Sequence, residues 1–537
     1  MLRRLPLLAA LLTLPLIANA LPPGGVPVCT DPASQTGPQI AKLSDGFAIV
    51  WTEHRRGNYD IFAQKLDMNG AGLWQMNGNA VCDDDTFQTY PIVVDGGNGG
   101  GIFFWVDGRS LPPPFPNYAT WGQRLTGLGQ DGWMHNGEGF IGGCSSTGAV
   151  AMPDGAGGAL MVYTSVLTPD GQGEYGYHID SLGAVLWNGP VGEGTIQGSG
   201  PTQVISDGSV GFVVGWFEGH RTRGNCIFAE RMTFSGHPLW DSVGVVMTRF
   251  SNPGHYGSHI IVPDATHGVI AAWSDNRSGN WDIYAQRVSG DSLVRWQTNG
   301  VTVRIGPGGQ TNPKAVPDGQ GGAIIVWENG ASGDRDVFAQ RLDSTGIQLW
   351  DTLGVPVIRS TGDQTGIQVV SDEAGRVIVT WKDNRNGNND IYAQGLNPNG
   401  QRLWDTLGVQ ICVWNGEQTA PVICQDGSGG AVIVWQDTRN GNNDIYAQRI
   451  SASGSGVCEE AVTSSVSRFP SSVRPNPFTS YTSVPGQEAE RFALYDISGR
   501  KVGVYKGDRI GEGLSPGVYF LREAGRGSPL ARIVKVR

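Results

Sequence analysis

Apolar and polar positions alternate along this chain in short runs of about five to eight residues, separated by clusters of Gly, Asn, Asp and Pro. Runs of this length, rich in Val, Ile, Trp, Tyr and Phe, predict β-strands. The clearest stretch, Gln310 to Ile358, reads Q-T-N-P, an apolar run Lys314 to Val316, P-D-G-Q-G-G, then A-I-I-V-W, D-V-F-A-Q-R-L, L-W-D-T-L and G-V-P-V-I. Four strands, a to d, are expected from it, with no sustained helical period anywhere in the repeating region.

The stretch is one unit of an array. W-S-D-N-R-S-G-N-W-D-I-Y-A-Q-R starts at Trp273, W-K-D-N-R-N-G-N-N-D-I-Y-A-Q-G at Trp381 and W-Q-D-T-R-N-G-N-N-D-I-Y-A-Q-R at Trp435. Aligned on that first aromatic, eight copies stand at Trp51, Trp105, Tyr163, Trp216, Trp273, Trp327, Trp381 and Trp435, in steps of 54, 58, 53, 57, 54, 54 and 54. Four short strands per unit of about 50 residues predict an all-β propeller of eight blades. Unit eight has Cys458 where other units carry the Trp of the c–d connection (Trp350, Trp404), so it lacks a strand d of its own. G-V-P-V-C at Gly25 to Cys29 matches G-V-Q-I-C at Gly408 to Cys412, and this N-terminal segment is expected to pair into the last blade and close the ring.

The b–c phrase resembles the WD-repeat-like propeller repeats of bacterial envelope proteins, such as the periplasmic propeller of the Tol system, which also reads S-D-R-x-G-x-x-D-I-Y. The match spans about 15 residues per unit, in units one and five to eight. It implies a fold and little about activity.

Both ends differ from the array. Residues 1–20 carry Arg3 and Arg4, an apolar run Leu5 to Ile17 and A-N-A before Leu21, the pattern of a secretory signal peptide. The propeller is expected over 21–458, a Ser-rich linker over 459–472 and a small domain over 473–537. That last segment has R-P-N-P-F from Arg474, A-L-Y-D-I-S-G-R-K-V from Ala493, L-S-P-G-V-Y-F-L from Leu514 and a final R-I-V-K-V-R. It resembles the type A C-terminal sorting domain of the type IX secretion system, and the immunoglobulin-like domain of the flagellar hook-capping protein. The resemblance implies a small β-sandwich, the secretion machinery as a partner, and a secreted or surface-attached product.

Composition narrows the classes. Gly supplies 81 of 537 residues and charged residues only 16%, the profile of a turn-rich β protein. A net charge of -11 with no basic block argues against nucleic acid. No apolar stretch after the leader is long enough for a membrane helix. A monomer without a cofactor is expected. Seven cysteines in an exported chain allow disulfides, with Cys29–Cys458 and Cys412–Cys424 as the candidate pairs.

The residues that invite a chemical reading are mostly repeated. Fourteen of the 17 tryptophans occupy the strand-b or the c–d position and are expected to pack between blades. Trp121, Trp281 and Trp414 fall outside that pattern. The carboxylate two residues after the strand-b aromatic (Glu53, Asp107, Glu218, Asp275, Asp383, Asp437) recurs in six units, often with Arg two further on. Repetition points to a structural pair bracing the b–c hairpin, taken as exposed and worth about 0 to 1 kcal/mol. Asp83, Asp84 and Asp85 are the densest acidic cluster and the calcium candidate. No G-x-S-x-G, H-E-x-x-H or P-loop is present, and no catalytic residue is nominated.

Chain direction puts the d–a and b–c loops on one rim, where the sequences of units two to five diverge. Phe115, Tyr118, Trp121, Tyr175, Tyr256 and His259 are the contact candidates there. Three functions compete on this reading: a binding or adhesion scaffold for a glycan or surface protein, an extracellular polysaccharide hydrolase or lyase with a central-channel site, and a spacer without ligand.

Overall fold

The computed structural model describes residues 24–455 except 110–118, 143–148, 169–170, 192–195, 200–201, 210, 221–223, 241–243, 251–255, 331–333 and 373, and then 481, 483, 491–496, 500–506, 508–523 and 531–535. The chain divides into two units, Met1–Glu459 and Glu460–Arg537. The leader, the linker and Cys458 lie outside the described residues.

Eight antiparallel sheets fill the first unit. Blade one runs Gln35–Leu43, Gly46–Glu53, Asp60–Leu66 and Asn79–Cys82, strands a to d in order. Blade two repeats it with Gln88–Asp95, Gly101–Asp107, Ala119–Leu125 and Glu138–Gly142. Blade four has five strands, because both Ile196–Ser199 and Gln203–Ser206 pair with Gly211–His220; the first of them comes from the insertion ahead of strand a. In the eighth sheet Gln418–Gln425, Ala431–Asp437 and Asp444–Ile450 are joined by Val26–Cys29, with Val26 opposite Ala447 and Cys29 opposite Ile445. Strands a touch one another in sequence from blade one to blade eight and back to blade one, so the sheets form a ring with strand a innermost.

The repeat explains what holds the ring. Eight apolar clusters each bridge one pair of adjacent blades; Leu43, Val50, Val81, Phe103 and Trp105, for example, join blades one and two. The strand-b tryptophans are the central fillers: Trp51, Trp105, Trp216, Trp273, Trp327, Trp381 and Trp435 are all buried. A glycine with positive φ lies over each ring's far edge. At Gly408 (φ +80°) an added Cβ would stand 2.8 Å from the Trp381 ring, so no larger residue fits.

Polar links repeat around the ring as well. The c–d tryptophans donate Nε1–H to a carbonyl of the following blade, as Trp74 does to Gly127 (3.2 Å), Trp296 to Ser344 (3.1 Å) and Trp350 to Pro398 (3.0 Å). On the opposite rim to the b–c turns, Asp264, Asp318 and Asp426 each accept a backbone N–H at the a–b turn and bind a strand-c arginine. Those arginines reach onward: Arg287 to Ser344 O (2.7 Å), Arg341 to Pro398 O (3.1 Å) and Arg449 to Met68 O (2.9 Å), the last spanning blades eight and one.

In the second unit, Lys501–Lys506, Arg491–Asp496, Gly517–Glu523 and Ala531–Lys535 form one antiparallel sheet in that spatial order. Phe492 and Leu494 of this sheet are buried, as is Ile510 in the connection that follows Lys506. Among the described residues no helix is long and apolar enough to cross a membrane.

Candidate functional site

The repeated carboxylate is a buried clamp, which corrects the expectation of exposed surface pairs. The Asp383 side chain is fully buried; Trp381 Nε1 donates to its Oδ2 at 2.7 Å, and Arg385 Nε to its Oδ1 at 2.9 Å. Arg385 also lies 4.3 Å over the Tyr392 ring and donates to Leu407 O at 3.0 Å, tying strand b, strand c and the c–d turn together. The same set recurs at Glu53–Arg55, Asp107–Arg109, Asp275–Arg277 and Asp437–Arg439. Burial pushes the Asp437 carboxyl up, but hydrogen bonds from Arg439 and Trp435 outweigh it and hold the group below the usual carboxylate range. Blade six departs from the set: Asn329 replaces the carboxylate, and Trp327 Nε1 is buried without a partner.

Three of the cysteines, Cys29, Cys82 and Cys412, belong to this clamp. Cys29, Cys412 and Cys424 are free thiols, as is Cys82. Cys29, Cys82 and Cys412 share one place at the end of strand d, with Sγ near the clamp carboxylate at 3.8, 4.0 and 3.6 Å. Cys412 and Cys424 are not joined to each other as expected; Cys458, the expected partner of Cys29, is not among the described residues.

Several contact candidates also turn out to be repeat positions. Trp121 sits in strand c opposite Trp105, with Arg109 at 3.6 Å over its ring, where Phe62 stands opposite Trp51. Tyr175 faces Tyr163 in the same way. Tyr256 stacks on Phe217 at 3.9 Å, and its hydroxyl meets His259 Nδ1 at 2.7 Å. His259 is only 4% exposed, and burial pushes its imidazole down to about 4, so it is neutral. All four side chains take part in packing, Trp121, Tyr175 and Tyr256 half-buried against the interblade clusters and His259 buried. Phe115 and Tyr118 lie outside the described residues.

The acidic cluster is dispersed. Asp83 pairs with Arg56, Asp84 lies 3.8 Å from Arg109, and Asp85 is exposed. Among the described residues no group of three or more His, Cys, Asp or Glu is placed to hold a metal ion. The buried carboxylates Glu174 and Glu218 are closed off at 1% and 2% exposure. Glu174 is held by the Thr164 and Thr202 hydroxyls (3.0 and 2.6 Å), and burial pushes it up to about 7.

Among the described residues, open space meets exposed aromatic side chains between the inner strands of blades one and two. In blades one, two, six, seven and eight the backbone N–H that opens strand a donates to the preceding b–c turn, as Gln88 does to Tyr59 O (2.7 Å), Gln418 to Asn389 O (2.8 Å) and Gln35 to Asn443 O (2.8 Å). These bonds place d–a and b–c loops on one rim, as chain direction predicts. Just beyond them, strand a bulges between Thr36 and Gln39, Thr89 and Ile92, Thr311 and Lys314, Thr365 and Gln368, and Thr419 and Val422. The residue at the bulge takes a left-handed backbone: Gly37 (φ +63°), Tyr90 (+54°), Asn312 (+54°), Gly366 (+66°) and Ala420 (+49°).

Tyr90 is the anomaly in that series. A bulky aromatic residue in this conformation is a true outlier, and its strain costs of order 1 to 3 kcal/mol. The strained side chain is not buried for packing; it is 60% exposed. Tyr59, from the b–c turn of blade one, is 49% exposed with His54 edge-on at 5.0 Å. The two rings border a cavity of about 440 Å³ whose wall also holds Thr36, Gln39, Thr52 and Thr89. A smaller cavity of about 280 Å³ lies on the other rim between blades seven and eight, where Arg376 is bound to Asp372 at 2.9 Å and to Gly429 O at 3.0 Å.

The chain matches no protein-family model and no curated protein sequence. Among solved structures, it is similar to a eukaryotic initiation factor at 10% identity, covering 81% of this chain and 89% of that one, with a TM-score of 0.43. An ulvan lyase matches at 11% identity over 70% of this chain and 96% of its own, with a TM-score of 0.43. An α-L-arabinanase of Penicillium chrysogenum matches at 11% over 69% and 96%, with a TM-score of 0.31. These are likenesses of outline alone. The propeller assignment stands on the strand pairing described above.

The sequence held the signal for the cavity. The motif reads Q-T-G-P, Q-T-Y-P, Q-T-N-P, Q-T-G-I and Q-T-A-P in units one, two, six, seven and eight, and Tyr is the single large residue at its third place.

Proposed function

We propose that this chain is a secreted or cell-surface propeller that acts as a binding scaffold, with its ligand seated in the cavity between Tyr59 and Tyr90. The observation that carries the reading is Tyr90: a strained backbone that presents an exposed aromatic ring to open space marks a functional position. The clamp and the arginine links make the surrounding blades rigid, which suits a pre-formed site. In this reading Val26–Cys29 is the clasp of the ring. The C-terminal unit, as an immunoglobulin-like sorting domain, directs the chain through the secretion machinery.

The test is a binding screen of the full-length chain against glycans, peptides and lipids, repeated with Tyr59→Ala, Tyr90→Ala and, as a control on another loop, Trp414→Ala. The expected result is a ligand lost in both tyrosine variants and kept by the control. A ligand indifferent to both tyrosines would overturn the site. For export, removal of residues 473–537 is expected to strand the protein in the periplasm; its appearance outside the cell without them would refute that part.

A further inference from the structure

Building on the binding reading above, we infer that the ligand of the Tyr59–Tyr90 cavity is a neutral saccharide. Among the described residues the wall carries no Asp, Glu, Lys, Arg or His; it offers hydroxyls and an amide from Thr36, Thr52, Thr89 and Gln39 beside the two phenol rings. An anionic ligand, whether phosphate, sulfate or uronate, needs a guanidinium or ammonium within reach. The nearby arginines are already committed: Arg55 Nε is 2.6 Å from Glu53, and Arg56 is paired with Asp83. With Asp84 and Asp85 on the adjoining loop and a net charge of -11, the local field repels polyanions.

A wholly apolar ligand fits no better, because it would desolvate those hydroxyls without replacing their hydrogen bonds. An uncharged sugar ring answers both requirements. Its C–H face packs on an aromatic ring, and its hydroxyls pair with threonine and amide groups. A volume of about 440 Å³ is that of a small-ligand site.

The test is calorimetric titration of the full-length chain with cellohexaose, mannohexaose, xylohexaose and maltohexaose, with hexagalacturonate as the anionic probe and a peptide library as the second class. The expected result is binding of at least one neutral hexasaccharide, insensitive to salt between about 50 and 500 mM. Hexagalacturonate should bind at least about tenfold more weakly, and Tyr59→Ala and Tyr90→Ala should each weaken the neutral ligand by about tenfold or more. Both side chains are exposed, so melting of the variants should match the parent and certify their fold.

Preference for the uronate, strong salt dependence, or binding of a peptide in place of all four sugars would overturn the saccharide assignment. If that ligand still required Tyr90, the site itself would stand. A neutral hexasaccharide bound equally well by both tyrosine variants would overturn the site along with the inference.

Discussion

Trp381 and Trp327 offer a natural experiment on the clamp. Both side chains are fully buried, and both stack on a strand-c aromatic, Trp381 on Tyr392 at 6.2 Å and 17°, Trp327 on Phe338 at 6.3 Å and 21°. Each also lies under a glycine of the c–d turn, Gly408 or Gly354. They differ at the indole nitrogen, which donates to Asp383 in one blade and has no partner in the other. Trp→Phe therefore removes the same volume twice but opposite polar terms. At Trp381 it deletes a hydrogen bond to a charged acceptor, about 1.5 to 3 kcal/mol; at Trp327 it removes an unpaired buried donor whose burial costs about 1 to 3 kcal/mol. Trp381→Phe is expected to destabilise its blade by about 2.5 to 6 kcal/mol more than Trp327→Phe does, or roughly a hundredfold or more in local opening. Stability in a repeat array is local, so native-state amide exchange on strands b and c of blades six and seven is the fitting assay. Equal loss of protection in the two variants would show that the clamp's hydrogen bond carries no weight.

Two further outcomes follow from the same geometry. Burial raises Glu174 to about 7 in the folded chain, the Thr202 and Thr164 hydroxyls opposing and Glu218 adding to the shift. Its contribution to stability is therefore full below the ordinary Glu range near 4.3 and is lost as pH rises to about 7. Glu174→Gln should flatten that fall and stabilise blades three and four above pH 7 by up to about 3 kcal/mol; a pH–stability profile unchanged by the substitution would contradict it. Deleting residues 24–29 removes Val28 and Cys29 from the cluster that includes Phe47, Val434 and Ile445, so exchange should accelerate in blades eight and one before the others. Uniform exchange across all blades would speak against a clasp.

Much of the fold was legible because it is repeated. One phrase, aligned on its first aromatic, yields eight blades, and the chain direction yields the shared rim. The depth of the Asp–Arg pairs was not legible: the sequence shows the spacing, but only the neighbouring indole and the c–d turn enclose Asp383. That Trp121 and Tyr175 hold the strand-c repeat position was hard to read because units two and three diverge from the phrase, although W-G-Q-R at Trp121 already parallels Y-A-Q-R at Tyr284. Tyr256 and His259 looked like loop residues, and strand pairing carries both into Tyr256–Pro263. The left-handed bulge behind Q-T-x-P is a backbone property, and it turns an ordinary tyrosine into the odd one of its series.

The most direct measurement is Tyr90→Gly, with ligand binding and melting recorded on the same sample. Glycine is the residue found at this bulge in blades one and seven, and it relieves the left-handed strain, about 1 to 2 kcal/mol for a side chain of L configuration. The account predicts a protein as stable as the parent or more so, with saccharide binding weakened by about tenfold or more. Retained binding, or a protein that melts earlier because Tyr90 was packing the blade, would contradict it.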